Sequence, residues 1–121
     1  MNRDRAHEIE ELTPAEVARL LDERRILLVD VREPEEFRVQ RIPGAVLAPL
    51  STLDVTYLPP EESRHLVFHC GSGKRSMMAV RARLATGATR AAHMAGGIGA
   101  WVAAGYPVVQ IDPATGNLVP K

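Results

Sequence analysis

The chain has 121 residues, enough for a single packed core, and we expect one domain over residues 1–121. Its 15 basic and 15 acidic residues cancel, so net charge provides no general attraction to nucleic acid or to an anionic membrane. A secretory signal, a run of roughly 20 apolar residues and a second cysteine are all missing from the sequence. We therefore expect a cytoplasmic protein with no membrane or nucleic-acid partner.

The first half of the chain alternates strand and helix signals. An edge strand is predicted over "HEIEEL" (7–12), and "TPAE" (13–16) then starts a helix with an N-cap threonine, a first-turn proline and a T-x-x-E capping box. The apolar run "ILLVDV" (26–31) is typical of a parallel strand that is buried on both faces. A helix is predicted to start in "EPEEFRVQ" (33–40), and "AVLAPL" (45–50) is predicted to form a short strand.

The second half continues the alternation after an irregular stretch, "STLDVTYLPPEES", with one helical turn. The predicted elements are the strand 65–70, the helix 76–87, a weak strand 88–95, and a short helix within 96–108 that carries a core tryptophan, Trp101. This order predicts an α/β sandwich with a mostly parallel sheet, with its core over about 12–108 and an unassigned tail, 109–121.

The only cysteine, Cys70, stands at the end of a predicted strand and is followed by the loop "GSGKR". Active sites of open α/β sheets lie at the carboxyl ends of strands, and glycines let successive N–H groups point toward one anion. The cations Lys74 and Arg75, with the following helix start, lower the pKa of a nearby thiol. A buried strand-end cysteine is the alternative, and the residues alone favour a reactive thiolate.

The histidines are not predicted to take part in this chemistry. His69 precedes Cys70 on a strand, where neighbouring side chains point to opposite faces, so it should face away from the thiol. The other histidines, His7, His65 and His93, show no metal-ligand spacing, and we expect no metal or cofactor.

Three charged side chains are candidates for supporting roles. Asp30 and Arg32 lie at the end of the strand "ILLVDV". They either orient the catalytic loop or form a structural pair, and we favour the structural pair. Arg41 is equally consistent with a pocket residue and with a surface residue. Of Met77 and Met78, one is expected in the core and the other at the mouth of the pocket.

Several motifs in order make the chain similar to single-domain rhodaneses, which are sulfurtransferases. "LLVDVREPEEF" (27–37) and "RIPGA" (41–45) resemble the N-terminal signature, "CGSGKRS" (70–76) the active-site loop, and "GGIGAWVAAGYPV" (96–108) the C-terminal signature. Residues 93–95 stand where the family often has an aromatic side chain, which predicts a difference in packing.

The resemblance implies a three-layer sandwich around a mostly parallel five-stranded sheet. It also implies that Cys70 takes a sulfane sulfur from thiosulfate or a persulfide donor and passes it to a thiol, to cyanide or to a sulfur-carrier protein. Lys74 or Arg75 would hold thiosulfate. The residues implied to cradle the persulfide are Gly71, Ser72, Gly73, Lys74, Arg75 and Ser76.

Two other functions remain open. The domain is either an enzyme or a module that relays sulfur to a partner or regulates it, because the same loop serves both. A phosphatase or arsenate reductase of related fold is disfavoured. Those relatives carry a loop one residue longer, whereas here Cys70 to Arg75 spans six residues.

Overall fold

The structure is a computed structural model that describes residues 8–59 and 64–121. His7 and most of the acidic stretch "PPEES" lie outside the described residues. Strands and α-helices alternate along the chain, as the sequence predicts. The elements are β1 (Glu8–Leu12), α1 (Pro14–Asp22), β2 (Ile26–Asp30), α2 (Pro34–Val39), β3 (Gln40–Arg41), β4 (Val46–Leu47), β5 (His65–His69), α3 (Lys74–Ala85), β6 (Arg90–Met94), α4 (Gly97–Ala103), β7 (Val109–Ile111) and β8 (Leu118–Pro120).

The central sheet has five parallel strands in the order β1-β6-β5-β2-β4, which confirms the predicted α/β architecture. Residues 8–12 of the predicted strand "HEIEEL" lie at the edge of this sheet, as β1. In the register of β2 and β5, Asp30 stands opposite His69. The carboxyl ends of these two central strands therefore meet at one edge of the sheet, where the loop that contains Cys70 begins.

An apolar layer of side chains lies on each face of the sheet, and helices cover both, so the molecule has three layers: helices, sheet and helices. Side chains alternate along the strands, so that Val67 faces one layer while Phe68 faces the other. Helices α1 and α4 cover the first layer, and Trp101 is buried there as predicted. Helix α3 covers the second layer, which also contains Cys70.

The first helix begins as its sequence predicts. The Thr13 hydroxyl accepts a hydrogen bond from the Glu16 N–H at 3.1 Å, and the Glu16 carboxylate accepts one from the Thr13 N–H at 2.9 Å. An N-cap of this kind stabilises a helix by about 1 kcal/mol. Pro14 fills a first-turn position, where its missing N–H has no helical partner to lose.

The structure differs from the sequence predictions at several places. The predicted strand 45–50 extends only over Val46–Leu47. Helix α3 begins at Lys74, two residues before the predicted start. The stretch after β4 contains two 3-10 turns, Leu50–Thr52 and Val55–Tyr57, rather than one helical turn. The unassigned tail forms β7 and β8, which join β3 in a small antiparallel sheet. Within residues 8–59 and 64–121, no helix is long and apolar enough to cross a membrane.

Candidate active site

Cys70 lies immediately after β5, on the face of the sheet that α3 covers. Its side chain is only 1% exposed and packs within the second apolar layer. His69 points to the opposite face, as predicted, where its Nε2 lies 3.5 Å from Asp30 Oδ2. Burial lowers the pKa of His69, which favours the neutral imidazole. Because the side chain lies on the opposite face of the sheet, it does not contact the thiol.

The loop from Cys70 to Ser76 folds back over the sulfur. The Gly73 N–H donates to Cys70 Sγ at 3.0 Å, and the Cys70 thiol lies 3.7 Å from the Ser76 hydroxyl oxygen. Gly73 is the N-cap of α3 with φ +113°, a left-handed conformation that a side chain resists. This glycine lets the helix begin early enough to bring the Ser76 N–H, in its first turn, close to the sulfur.

The environment of Cys70 favours the thiolate. Burial alone would raise the pKa of the thiol, because it penalises the charged form. Hydrogen bonds from the backbone and hydroxyl of Ser76, and from the N–H groups of Gly73 and Ser72, outweigh burial and lower the pKa. A sulfur that is buried and yet stabilised as an anion is the arrangement of a nucleophile.

The two loop cations differ in their surroundings. Cations are unfavourable in the first turn of a helix, where Lys74 and Arg75 lie, because the N-terminal end of the helix is positive. Arg75 is bound to Glu36 of α2 through two hydrogen bonds of 2.6 and 3.0 Å, and this pairing lowers the pKa of Glu36 to about 2. Lys74 instead lines a cavity beside the loop.

The start of α4 supports the loop from beneath. The Ile98 N–H donates to the Cys70 carbonyl at 2.8 Å, and the Gly99 N–H donates to the Gly71 carbonyl at 3.1 Å. A Cβ at Gly97 would overlap the Cys70 carbonyl oxygen and lie 2.6 Å from the Gly71 carbonyl. Gly97, the second of the paired glycines, is therefore required by this close approach of two backbones, whereas a Cβ at Gly96 would instead meet the Ala100 side chain at 2.6 Å.

The cavity beside the loop has a volume of about 510 Å³. Ser72 and Gly73 of the loop line it, together with the cations Lys74 and Arg81 of α3 and the carboxylate of Glu11 of β1. Met78, which is 56% exposed, also lines it. Met77 is partly buried and packs against the second apolar layer, but it also lines the cavity, so the expected division into one core and one cavity methionine is incomplete. This cavity can take an anionic or thiol-containing molecule next to the loop.

Asp30 and Arg32 form a buried pair next to the loop. Arg32 Nη2 lies 2.8 Å from Asp30 Oδ2 and also donates to the Gln40 carbonyl at 2.7 Å. Arg32 Nε and the Arg32 N–H complete the set of donors to this carboxylate. The pair ties the start of α2 to β3, which is the arrangement expected of a structural role.

Arg41 contacts Phe37 of helix α2. Its guanidinium stacks over the Phe37 ring, 4.8 Å from the ring centre, and contacts the Phe37 carbonyl at 3.5 Å. In the described part of the chain, no group of three His, Cys, Asp or Glu side chains is placed to hold a metal ion.

The sequence interpretation missed two neighbours of the loop, His93 and Glu36. Nδ1 of the buried His93 shares a hydrogen bond of 2.8 Å with the Ser76 hydroxyl. Its Nε2 lies 3.1 Å from a carboxylate oxygen of Glu11. One signal was present, namely a polar residue among the buried positions of a strand, close to its carboxyl end. Nothing local indicated Glu36, whose partner Arg75 lies 39 residues along the chain.

Comparison with known proteins places this site in context. The profile of the Rhodanese-like domain matches residues 13–104. A protein of Allochromatium vinosum named "Sulfurtransferase" is 35% identical over 91 residues, which cover 75% of this chain and 85% of that protein. The human "Thiosulfate:glutathione sulfurtransferase" is 34% identical over 101 residues, which cover 72% of this chain and 88% of that protein.

The fold has relatives of known structure. A rhodanese-related protein from Thermoplasma volcanium superposes with a TM-score of 0.71 at 28% identity, covering 83% of this chain and 97% of that chain.

An uncharacterized Synechocystis protein, slr1261, is 36% identical over 103 residues, or 85% of this chain, but the match spans only 58% of that relative. This chain is thus shorter than some of the proteins it resembles.

Proposed function

This chain belongs to the rhodanese-like domain family of sulfurtransferases, and from that premise we propose that it transfers sulfane sulfur from thiosulfate through a persulfide on Cys70. The Cys70 thiolate attacks the outer sulfur of thiosulfate, and the bond between the two thiosulfate sulfurs breaks. Its electron pair leaves with sulfite, and the outer sulfur stays on Cys70 as a persulfide. Attack of an acceptor on that outer sulfur returns the Cys70 thiolate.

The observation that carries this proposal is the fit of the loop to one sulfur atom. Six residues span Cys70 to Arg75, and the Gly73 N–H lies 3.0 Å from Sγ. Backbone donors held in this way stabilise the negative charge of a thiolate and of the persulfide formed on it. A phosphoryl group has three further oxygens to accommodate, and the family's phosphatases use a longer loop for it.

For the acceptor we propose a low-molecular-weight thiol that carries carboxylates, such as glutathione. The cavity beside the loop offers the amine of Lys74 and the guanidinium of Arg81 to such an anion. Two relatives, from human and yeast, bear the name thiosulfate:glutathione sulfurtransferase. The cytoplasm, where such thiols keep cysteines reduced, suits both the donor-acceptor pair and the lone cysteine.

The test is the intact mass of the protein after incubation with thiosulfate, for the wild type and for Cys70→Ser. We expect the mass of one additional sulfur on the wild type alone, removed by glutathione or cyanide. A wild-type protein that is folded but never gains sulfur from thiosulfate or from a persulfide donor would refute the proposal. A persulfide that forms and resists both acceptors would instead indicate the relay module.

A further inference from the structure

A chain of polar side chains leads from the buried thiol to the wall of the cavity. The Cys70 thiol lies 3.7 Å from the Ser76 hydroxyl oxygen, which lies 2.8 Å from His93 Nδ1. His93 Nε2 lies 3.1 Å from a Glu11 carboxylate oxygen. Ser76 and His93 are buried, whereas the Glu11 side chain is 61% exposed. The chain of contacts therefore connects a sulfur without solvent contact to a solvated carboxylate.

The donors and acceptors in this chain can all point the same way. A carboxylate only accepts, so the contact with Glu11 places a hydrogen on Nε2 of His93. Nδ1 of the neutral imidazole then accepts from the Ser76 hydroxyl, whose oxygen is left free to accept the thiol proton. The Gly73 carbonyl, at 3.1 Å, is the other acceptor within reach of this hydroxyl, and His93 is closer.

The sheet brings these residues together by register and by strand alternation. Glu11 of β1 stands opposite His93 of β6, and both side chains lie on the face that α3 covers. Ser76 projects from the first turn of α3 onto the same face. The neighbouring carboxylate on β1, Glu10, points to the other face and contacts His65 at 2.9 Å. One edge strand thus holds two histidine–glutamate pairs, and one of them reaches the thiol.

We propose that Ser76, His93 and Glu11 form a proton relay that deprotonates Cys70 and returns a proton to it. This inference rests on the proposed sulfur transfer and deepens it. The thiol proton passes to the Ser76 oxygen while the Ser76 hydroxyl proton passes to His93 Nδ1. The Glu11 carboxylate then faces an imidazolium, and the Ser76 hydroxyl turns toward the thiolate. The reverse movement reprotonates Cys70 after the sulfur has left, so no oxidant or reductant is needed.

The relay supplies what the backbone cradle lacks. Backbone N–H groups stabilise a thiolate, but they cannot accept its proton, and Cys70 at 1% exposure has no water surface to give it to. The charged groups around His93 are Glu11 from β1, Lys74 and Arg81 from α3, and the sulfur after β5.

The test is the rate of Cys70 alkylation by iodoacetamide as a function of pH, which measures the thiolate directly. For His93→Asn, which has an amide but no titratable group, we expect the midpoint to rise by about one pH unit. The rate below the wild-type midpoint then falls about tenfold, while the rate at high pH is unchanged. Persulfide formation from thiosulfate should follow the same pH dependence.

Further variants separate a relay from a structural effect. Ser76→Thr keeps the hydroxyl and should retain the wild-type midpoint, whereas Ser76→Ala should raise it at least as much as His93→Asn. Glu11→Gln should produce a smaller rise. His65→Asn and Glu10→Gln alter the matched pair on the other face of the sheet, and we expect the wild-type midpoint for both.

Two results would overturn the relay. In the first, the alkylation rate of His93→Asn has the same pH midpoint as that of the wild type. In the second, the alkylation rate of His93→Asn is reduced by the same factor at every pH. Either result would mean that His93 has a packing role only. Circular dichroism identifies any variant that fails to fold. Alkylation does not depend on sulfur transfer, so a shifted midpoint without persulfide formation in the wild type would refute the proposed function and leave the relay standing.

Discussion

The carboxyl ends of β2 and β5 lie side by side, and each carries a buried side chain that is stabilised by a different kind of hydrogen-bond donor. At the end of β2, the Asp30 carboxylate receives donors from the side chain and the backbone of Arg32. At the end of β5, the Cys70 sulfur receives the Gly73 N–H at 3.0 Å and lies near the Ser76 hydroxyl. Both ends favour a negative charge, one with a full opposite charge and one with dipoles.

The difference shows how one sheet edge can separate stability from reactivity. A carboxylate that is paired with guanidinium is held in place and is not available to a substrate. Backbone dipoles stabilise a negative sulfur without neutralising it, and they remain in place when the sulfur is extended by one atom. The first strand end therefore serves the fold, and the second holds the sulfur on which the proposed chemistry depends.

The largest effect on stability is expected at the β2 end. Asp30→Asn leaves the buried Arg32 guanidinium without its counter-charge, which should lower the free energy of unfolding by about 3–5 kcal/mol. Urea denaturation measures this loss. A double variant, Asp30→Asn with Arg32→Met, should be less destabilised than the sum of the two single variants. A loss below about 1 kcal/mol in Asp30→Asn would show that the pair does not hold the strand end.

The support beneath the β5 end comes next. Gly97→Ala places a Cβ against the Cys70 and Gly71 carbonyls at φ +61°, which should cost about 3 kcal/mol from crowding and the left-handed backbone together. Because the loop must move to relieve the overlap, persulfide formation should also slow.

The matched control for Gly97→Ala is Gly105→Ala. Gly105 has φ +86°, and a Cβ added there would meet no atom within 4 Å, so only the backbone cost of about 1 kcal/mol applies. Thermal unfolding and the rate of sulfur loading distinguish the two variants. Equal losses at both glycines would mean that contact with the loop contributes nothing.

The smallest effect is expected at the pair that joins α2 to the loop. The pKa of Glu36 is lowered to about 2 from 4.5, so its contribution is complete above pH 4.5 and is lost as the pH falls toward 2. Both side chains are more than a third exposed, and solvent screening limits this contribution to about 1 kcal/mol.

Glu36→Gln should therefore be less stable than the wild type at neutral pH, and the difference should vanish as the pH falls through this window. The measurement is urea denaturation at several pH values. Glu35→Gln removes a carboxylate from the same turn without touching Arg75, and it serves as the control. A Glu36→Gln deficit that is constant from neutral pH to pH 2 would exclude the ion pair as its source.

Local signals were sufficient for most of the fold. The capping box at Thr13 and Glu16 depends on residues three positions apart, and the buried strand "ILLVDV" depends on a continuous apolar run. The position of Cys70 at a strand end followed from the same kind of pattern. The start of α3 was placed too late because Gly73 adopts a left-handed φ and caps the helix itself.

The features that could not be predicted from the sequence depend on contacts between distant residues. His93 meets Ser76 only because β6 pairs beside β5, and it meets Glu11 across 82 positions of the chain. Strands β7 and β8 have three residues each, too few for a clear alternation, and they gain their partner from β3. Strand order and register, which single-sequence patterns do not specify, decide these contacts.

Strand β1 has a consequence for how copies of this protein behave at high concentration. It lies at the edge of the five-stranded sheet, where unpaired backbone groups invite a strand from another molecule. Its sequence, "EIEEL", places carboxylates on both faces of that edge. Two such edges brought together would oppose like charges, so self-association through this strand is disfavoured. The same glutamates that reach the histidines thus also protect the molecule against aggregation.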